Sequence, residues 1–152
     1  MPGMSNYLEN KLTDHVLRGI PYTAPTNMYI GIFSTTPSYN SNGTEIAYTG
    51  YARLGAALNA SNWKGTAGET SGPSSNVSGV PGASVSNFTG SFGTGTIAGL
   101  SGAATINGIG IFDYSTSGSL LWFGPLAQSK TINNGDPVPT VSLGDLQITL
   151  GN

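Results

Sequence analysis

The apolar positions divide the chain into one helical stretch and a series of strands. Leu8, Leu12, Val16 and Ile20 recur every four residues, the spacing of one helix face. Lys11, Asp14 and Arg18 fall on the other side. Asp14 precedes Arg18 by four positions, the better order for an ion pair on a helix surface. Asn6, with Glu9 three residues on, reads as a capping box, and Ser5 is the rival cap one residue earlier. Gly19 suits the position just past a helix end, and Pro21 cannot continue it. The pattern predicts a helix over 5–19. Leu17 points away from the apolar arc, so this helix asks for neighbours on two sides.

After Pro21 the period falls to two. In "TNMYIGIFSTTP" Met28, Ile30 and Ile32 share one face and Tyr29, Gly31 and Phe33 the other, which predicts a strand. "TEIAYTGYARLGAAL" predicts one or two short strands broken near Gly50, with a helical alternative over Ala52 to Leu58. The clearest hairpin is "AATINGIGIFDYSTSGSLLWFGPL". Its first strand alternates Ile109 and Ile111 with Gly110 and Phe112, "STSG" is the turn, and Leu120, Trp122 and Leu126 alternate with Leu121 and Phe123 on the return. Asn134-Gly135 signals another turn. "TVSLGDLQITL" predicts a closing strand or kinked pair, with Val141, Leu143, Leu146, Ile148 and Leu150 directed inward.

Short strands separated by turn signals predict a mainly β fold, an antiparallel β-sandwich or barrel-like sheet, with one N-terminal α-helix. The expected organisation is a single domain over 1–152. It comprises a helix over 5–19, first strands over 26–58, a Gly/Ser-rich extended loop over 59–96, and the main β hairpins over 97–152.

Composition narrows the function. Charged residues are 8% of the 152, far below the ~25% of an ordinary globular domain. From Thr70 through Phe112, 43 residues carry no charge. Five Lys and Arg residues form no basic stripe, which argues against nucleic acid and against an anionic membrane surface. No apolar run is long enough to span a bilayer, and the N-terminal stretch lacks the pattern of a signal peptide. There is no cysteine, so neither disulfides nor thiolate metal sites contribute.

Candidate chemistry is sparse. His15 is the single histidine and has no partner at a recognisable spacing, so a structural role is expected. "GTGTIA", Gly93 to Ala98, matches a dinucleotide fingerprint on paper, but no helix-forming sequence follows it. "SNWK", Ser61 to Lys64, fits a Ser–Lys pair but sits in a Gly/Ser loop. Four Asn-x-Ser/Thr sequons, at Asn42, Asn59, Asn76 and Asn87, fall in expected loops. Glu45, Glu69, Asp113, Asp136 and Asp145 show no spacing for acid–base work or an EF-hand. No catalytic residue, cofactor or metal is expected. Trp63 stands alone in a polar loop. Such an aromatic is either tucked against its domain or an interface anchor, and the anchor is the expectation.

Several stretches resemble one family. "SNYLENKLTDHVLRGIPYTAPTNMYIGIFSTTP" is similar to the N-terminus of a family of small tailed-phage virion structural proteins, which begins with such a helix, a "YTAP" turn and a strand. "GTEIAYTGYAR", "INGIGIFD", "GSLLWFGPL", "SKTINNGD" and the final "LQITL" resemble further pieces of that family in the same order, and the likeness weakens over 59–96. Members are often labelled tail fibre proteins. The resemblance implies a non-enzymatic virion protein. The expected role is a capsid cement or decoration protein on the outer capsid surface, a homodimer or homotrimer binding the major capsid protein. The alternative is a tail fibre or baseplate component for host attachment, and a wall-degrading enzyme is a distant third. The contact residues expected on the leading reading are Tyr7, Leu8, Leu12, Val16, Leu17 and Trp63.

Overall fold

The computed structural model describes residues 3–59, 61–63 and 83–149. Its elements are β1 (Gly3–Met4), α1 (Asn6–Arg18), β2 (Asn27–Thr35), β3 (Thr44–Glu45), β4 (Leu54–Ala57), β5 (Ala83–Val85), β6 (Gly90–Ser91), β7 (Ala104–Phe112), β8 (Leu120–Ile132), β9 (Thr140–Val141) and β10 (Gln147–Thr149). The fold is a β-sandwich with an N-terminal helix. The main antiparallel sheet runs β1-β8-β7-β2-β3, and β4 also pairs β2. The free edge of β2 is shared. Asn27 to Ile30 pair with β4, and Phe33 and Thr35 pair with β3. Ala52 to Leu58 is therefore extended and not helical.

Two short pairs, β5 with β10 and β6 with β9, make the second layer. Thus the expected 59–96 loop contains, where it is described, two strands held by the C-terminal segment. Asn76, Glu69, Lys64 and Leu150 lie outside the described residues. Tyr48 donates its hydroxyl hydrogen to Phe92 O, tying the second layer to the 46–51 segment. Asn134 fixes the turn that sequence pattern placed there, accepting from Leu100 N–H at 3.0 Å and donating to Leu100 O at 2.9 Å.

The faces of the main sheet differ in how they are filled. Residues directly opposite in antiparallel strands share a face. Ile30 pairs with Ile111, Ile32 with Ile109, and Ile111 with Trp122, giving a face of isoleucines flanked by Trp122. It packs into one core with Phe92, Ile97, Ile132, Val141 and Leu146. Leu143, expected inward, is exposed because Ser142 to Asp145 form the turn between β9 and β10.

On the opposite face Gly31 pairs with Gly110, Phe33 with Gly108, and Gly110 with Phe123. Missing side chains at the glycines leave a flat lane. Phe33, Phe112, Leu120 and Phe123 close over it as a second buried cluster, with the Phe33 and Phe112 rings stacked 6.0 Å apart.

The cap of α1 is Ser5, not Asn6. Ser5 Oγ accepts from Leu8 N–H at 3.2 Å and donates to Leu120 O, while Ser5 N–H donates to Leu121 O at 2.9 Å. A buried serine thus caps the helix and pins it to β8 at once. Asn6, the first residue of the helix, donates its amide to Asn40 instead. Gly19, at φ 67°, closes the other end on Asp14 O, and Asp14 pairs with Arg18 at 2.9 Å as its spacing predicts.

The glycine lane gives a stability test. A Cβ on Gly108 would lie 2.3 Å from Thr36 Oγ1 and 2.8 Å from the Gly124 carbonyl, and that backbone cannot step aside. Gly108→Ala is expected to lower unfolding free energy by about 1–3 kcal/mol. Gly102→Ala, with nothing within 4 Å, is expected to stay within about 0.5 kcal/mol of wild type. Urea denaturation midpoints measure both.

Candidate functional site

Among the described residues, Glu45, Arg53 and the aspartates outside the helix are used to hold the fold. Arg53, just before β4, lays its guanidinium 3.6 Å from the centre of the Phe112 ring. Its Nε and Nη2 donate to the two Glu45 oxygens at 2.9 and 2.7 Å, the bidentate geometry that favours arginine over lysine. Nη1 donates to Tyr114 O at 3.1 Å and Ser117 O at 2.7 Å. One side chain therefore joins β3, β4 and the β7–β8 turn. Tyr51 adds its hydroxyl to Glu45 at 2.6 Å and accepts from Ile32 N–H at 3.3 Å.

Burial by itself would raise the Glu45 carboxyl. The hydrogen bonds from Arg53 and Tyr51, with the arginine charge, outweigh it and hold the carboxyl below the usual value of 4.5. Burial, together with the Glu45 carboxylate, pushes the Tyr51 phenol far up, so it stays a donor.

The described aspartates of the β hairpins and turns act locally. Asp113 accepts from Ser119 N–H at 2.6 Å, Asp136 from Asn133 N–H at 2.8 Å, and Asp145 from Ser142 N–H at 2.7 Å. His15 Nδ1 accepts from Tyr22 N–H at 3.3 Å, which ties the helix to the chain that leaves it. Among the described residues no cluster of three His, Cys, Asp or Glu residues could hold a metal ion. Gly93 to Ala98 runs as irregular backbone with a single bridge, Thr96 to Pro137, and β7 rather than a helix follows, so the dinucleotide geometry does not form. Among the described residues no helix is long and apolar enough to cross a membrane.

The six residues expected at an interface do not form one surface. Leu8 is 1% exposed and belongs to the main core, so it is unavailable to a partner. Leu12 is half-buried against the same core. Trp63 is half-buried too. It bridges Ser86 in β fashion and sets its ring edge-on to Phe88, 5.2 Å between centres. The structure places it against its own domain. Val16 and Leu17, at 74% and 77% exposure, stand free with Ile20 at the far end of the helix. The helix touches the domain through its first two turns, leaving the last turn of the predicted arc uncovered.

Tyr7 is exposed elsewhere, in company that sequence reasoning missed. Three adjoining concavities of about 290, 220 and 310 Å³ all include Gly118 in their walls. Their rims carry Tyr7, Tyr39 and Tyr114, which are the three exposed tyrosines of the chain. Asn6, Asn40 and Asn42 lie between them. Tyr39 and Tyr114 each sit in a polar turn, the same signal that singled out Trp63.

The described residues thus form a β-sandwich with an uncovered apolar helix end and a rim of exposed tyrosines. The sequence matches the family model described as Podophage GP4 fiber I protein gp80 over residues 3–149. The chain belongs to that family, and so is a phage fibre-type virion structural protein. The curated proteins contain no match to it.

The Arg53–Glu45 pair makes a pH prediction. A carboxyl lowered on folding stabilises the fold above its unfolded value, and that contribution is lost as pH falls through the folded value. Glu45→Gln is expected to cost roughly 2–4 kcal/mol at neutral pH, since it leaves a largely buried arginine unpaired. The gap between wild type and variant is expected to narrow progressively below pH 4.5. Urea titrations across that range measure it; a gap that is constant with pH contradicts the assignment.

Proposed function

We propose that the chain is a tail fibre component that contributes to host attachment. The observation that carries this reading is the match to a fibre protein family across residues 3–149, which includes every described element of the fold. A compact β domain of this size suits a capsid cement protein. A compact β module suits a joint or an end of a fibre equally well, because fold alone does not fix the role.

On this reading the chain docks onto a neighbouring virion protein through the free end of α1. Val16, Leu17 and Ile20 supply the apolar contact, and repeated copies multiply a weak one. The low charge content supports a surface that loses little solvation on docking. Homodimers or homotrimers are one form that such packing takes.

Quantified protein bands from purified particles test the position. A fibre component is present in a small number of copies matched to the tail, whereas a cement protein is present in proportion to the shell. Leu17→Asp tests the contact. It is expected to leave the melting temperature within about 2 °C, as for a surface change, and to lower incorporation into particles. Normal incorporation of a folded Leu17→Asp protein contradicts the helix-end contact.

A further inference from the structure

The surface around Gly118 carries three exposed tyrosines that belong to neither core cluster. We propose that it is a saccharide-binding site, and that its ligand is a neutral oligosaccharide of the kind displayed on a cell surface. This deepens the attachment reading and rests on it.

Three observations lead there. The first is the choice of side chains. Tyr7, Tyr39 and Tyr114 offer flat apolar rings with a hydroxyl at the tip. Asn6, Asn40 and Asn42 can each donate and accept, which is what vicinal hydroxyl groups require. A sugar ring has the matching pair of features, an apolar C–H face and a polar edge.

The second is preorganisation. Tyr39 stands edge-on to Phe123 with 5.2 Å between centres, and Tyr114 packs on Tyr29 at 6.5 Å. The Asn6 amide donates to Asn40 Oδ1, joining the helix start to the 38–41 turn. The Tyr114 and Ser117 carbonyls are held by Arg53. Rings and amides fixed before binding lose little entropy when a ligand arrives.

The third is charge and shape. Arg53 lines one concavity, but its Nε, Nη1 and Nη2 already donate to Glu45, Tyr114 and Ser117. Asp113 in the adjoining wall disfavours an anion, while Lys11 Nζ lies over the Tyr7 ring, 5.7 Å from its centre, so the two charges at the rim oppose each other. A neutral ligand fits best. Three connected hollows of about 220–310 Å³ suit a chain of similar units better than one compact molecule. The apolar helix end proposed for docking is elsewhere, with Val16 about 14 Å along the helix from Tyr7.

The test is retention of the full 152-residue chain on an array of immobilised neutral and acidic bacterial oligosaccharides. Selective retention on neutral members is expected. Tyr7→Ala with Tyr114→Ala is expected to weaken it at least about tenfold, the effect of removing a contact worth 1.4 kcal/mol. Asn42→Ala, which leaves every ring in place, is expected to weaken it as well. Leu143→Ala, in the β9–β10 turn, is expected to bind as wild type. Melting curves confirm that each variant is folded.

Absence of saccharide retention overturns the proposal, as does preference for acidic members or retention unchanged in both site variants. Competition for this surface by another virion protein, without saccharide retention, overturns it in favour of a protein partner. The two readings fail separately: a chain counted at tail stoichiometry that retains no saccharide remains a fibre component without this ligand, whereas a saccharide-binding chain at shell stoichiometry keeps the site and loses the tail.

Discussion

The guanidinium of Arg53 is the point on which the second face of the sheet depends. The Gly31–Gly110 pair leaves a lane in which aromatic rings lie close to the backbone, and rings in a lane need a lid. Arg53 supplies it for Phe112 and anchors itself on Glu45. Because Glu45 pairs with Phe33 across β2 and β3, the ion pair locks the short strand that would otherwise hang on two residues. The same guanidinium holds the carbonyls of the β7–β8 turn. Glycine lane, ring cluster, short edge strand and hairpin tip are one cooperative unit.

This unit explains how a chain with so few charges uses them. The described carboxylates of the β region are committed to Arg53 or to turn N–H groups, so their work is internal. Among the described residues, the surface of the β region is left mainly to hydroxyls, amides and tyrosine rings, with Lys130 exposed, and the helix adds its apolar end. The helix has a divided role. Ser5 and Leu8 bind its start to β8 and the core, while Val16 and Leu17 project where the domain no longer reaches. Assembly at one end of the helix and recognition beside the other is a coherent division for a fibre module.

Much of the fold was legible because it is written in local periods. The alternation of Met28 to Phe33, the turn-linked strands β7 and β8, and the Asn134-Gly135 turn each state their structure within a few residues. A register shift between the Ile111–Trp122 and Phe112–Leu120 pairs, however, puts Leu120 with Phe123 and Leu121 with Trp122, against the expected alternation. What escaped depends on distant partners. Ser5 rather than Asn6 is the cap because Leu120 and Leu121, over a hundred residues away, hold it. Two strands inside the Gly/Ser stretch exist because the C-terminal segment pairs with them. The candidate site was harder to read. An arc of four apolar residues cannot say where its domain stops, so Leu8 and Val16 looked equivalent. Trp63 drew attention as an aromatic in a polar loop, yet Phe88 takes it in. Tyr39 and Tyr114 carried the same signal and are the ones left exposed, a distinction made only by tertiary packing.

The central claim is that this fold sits in the tail with its tyrosine rim outward and the end of its helix inward. A reconstruction of the intact particle without imposed shell symmetry tests it most directly. The account predicts density for the six-stranded sheet at the tail, with Val16 and Leu17 against a neighbouring chain and the surface around Gly118 open to solvent. Density for the fold spread over the capsid shell, or with the Gly118 surface covered by another virion protein, would contradict it.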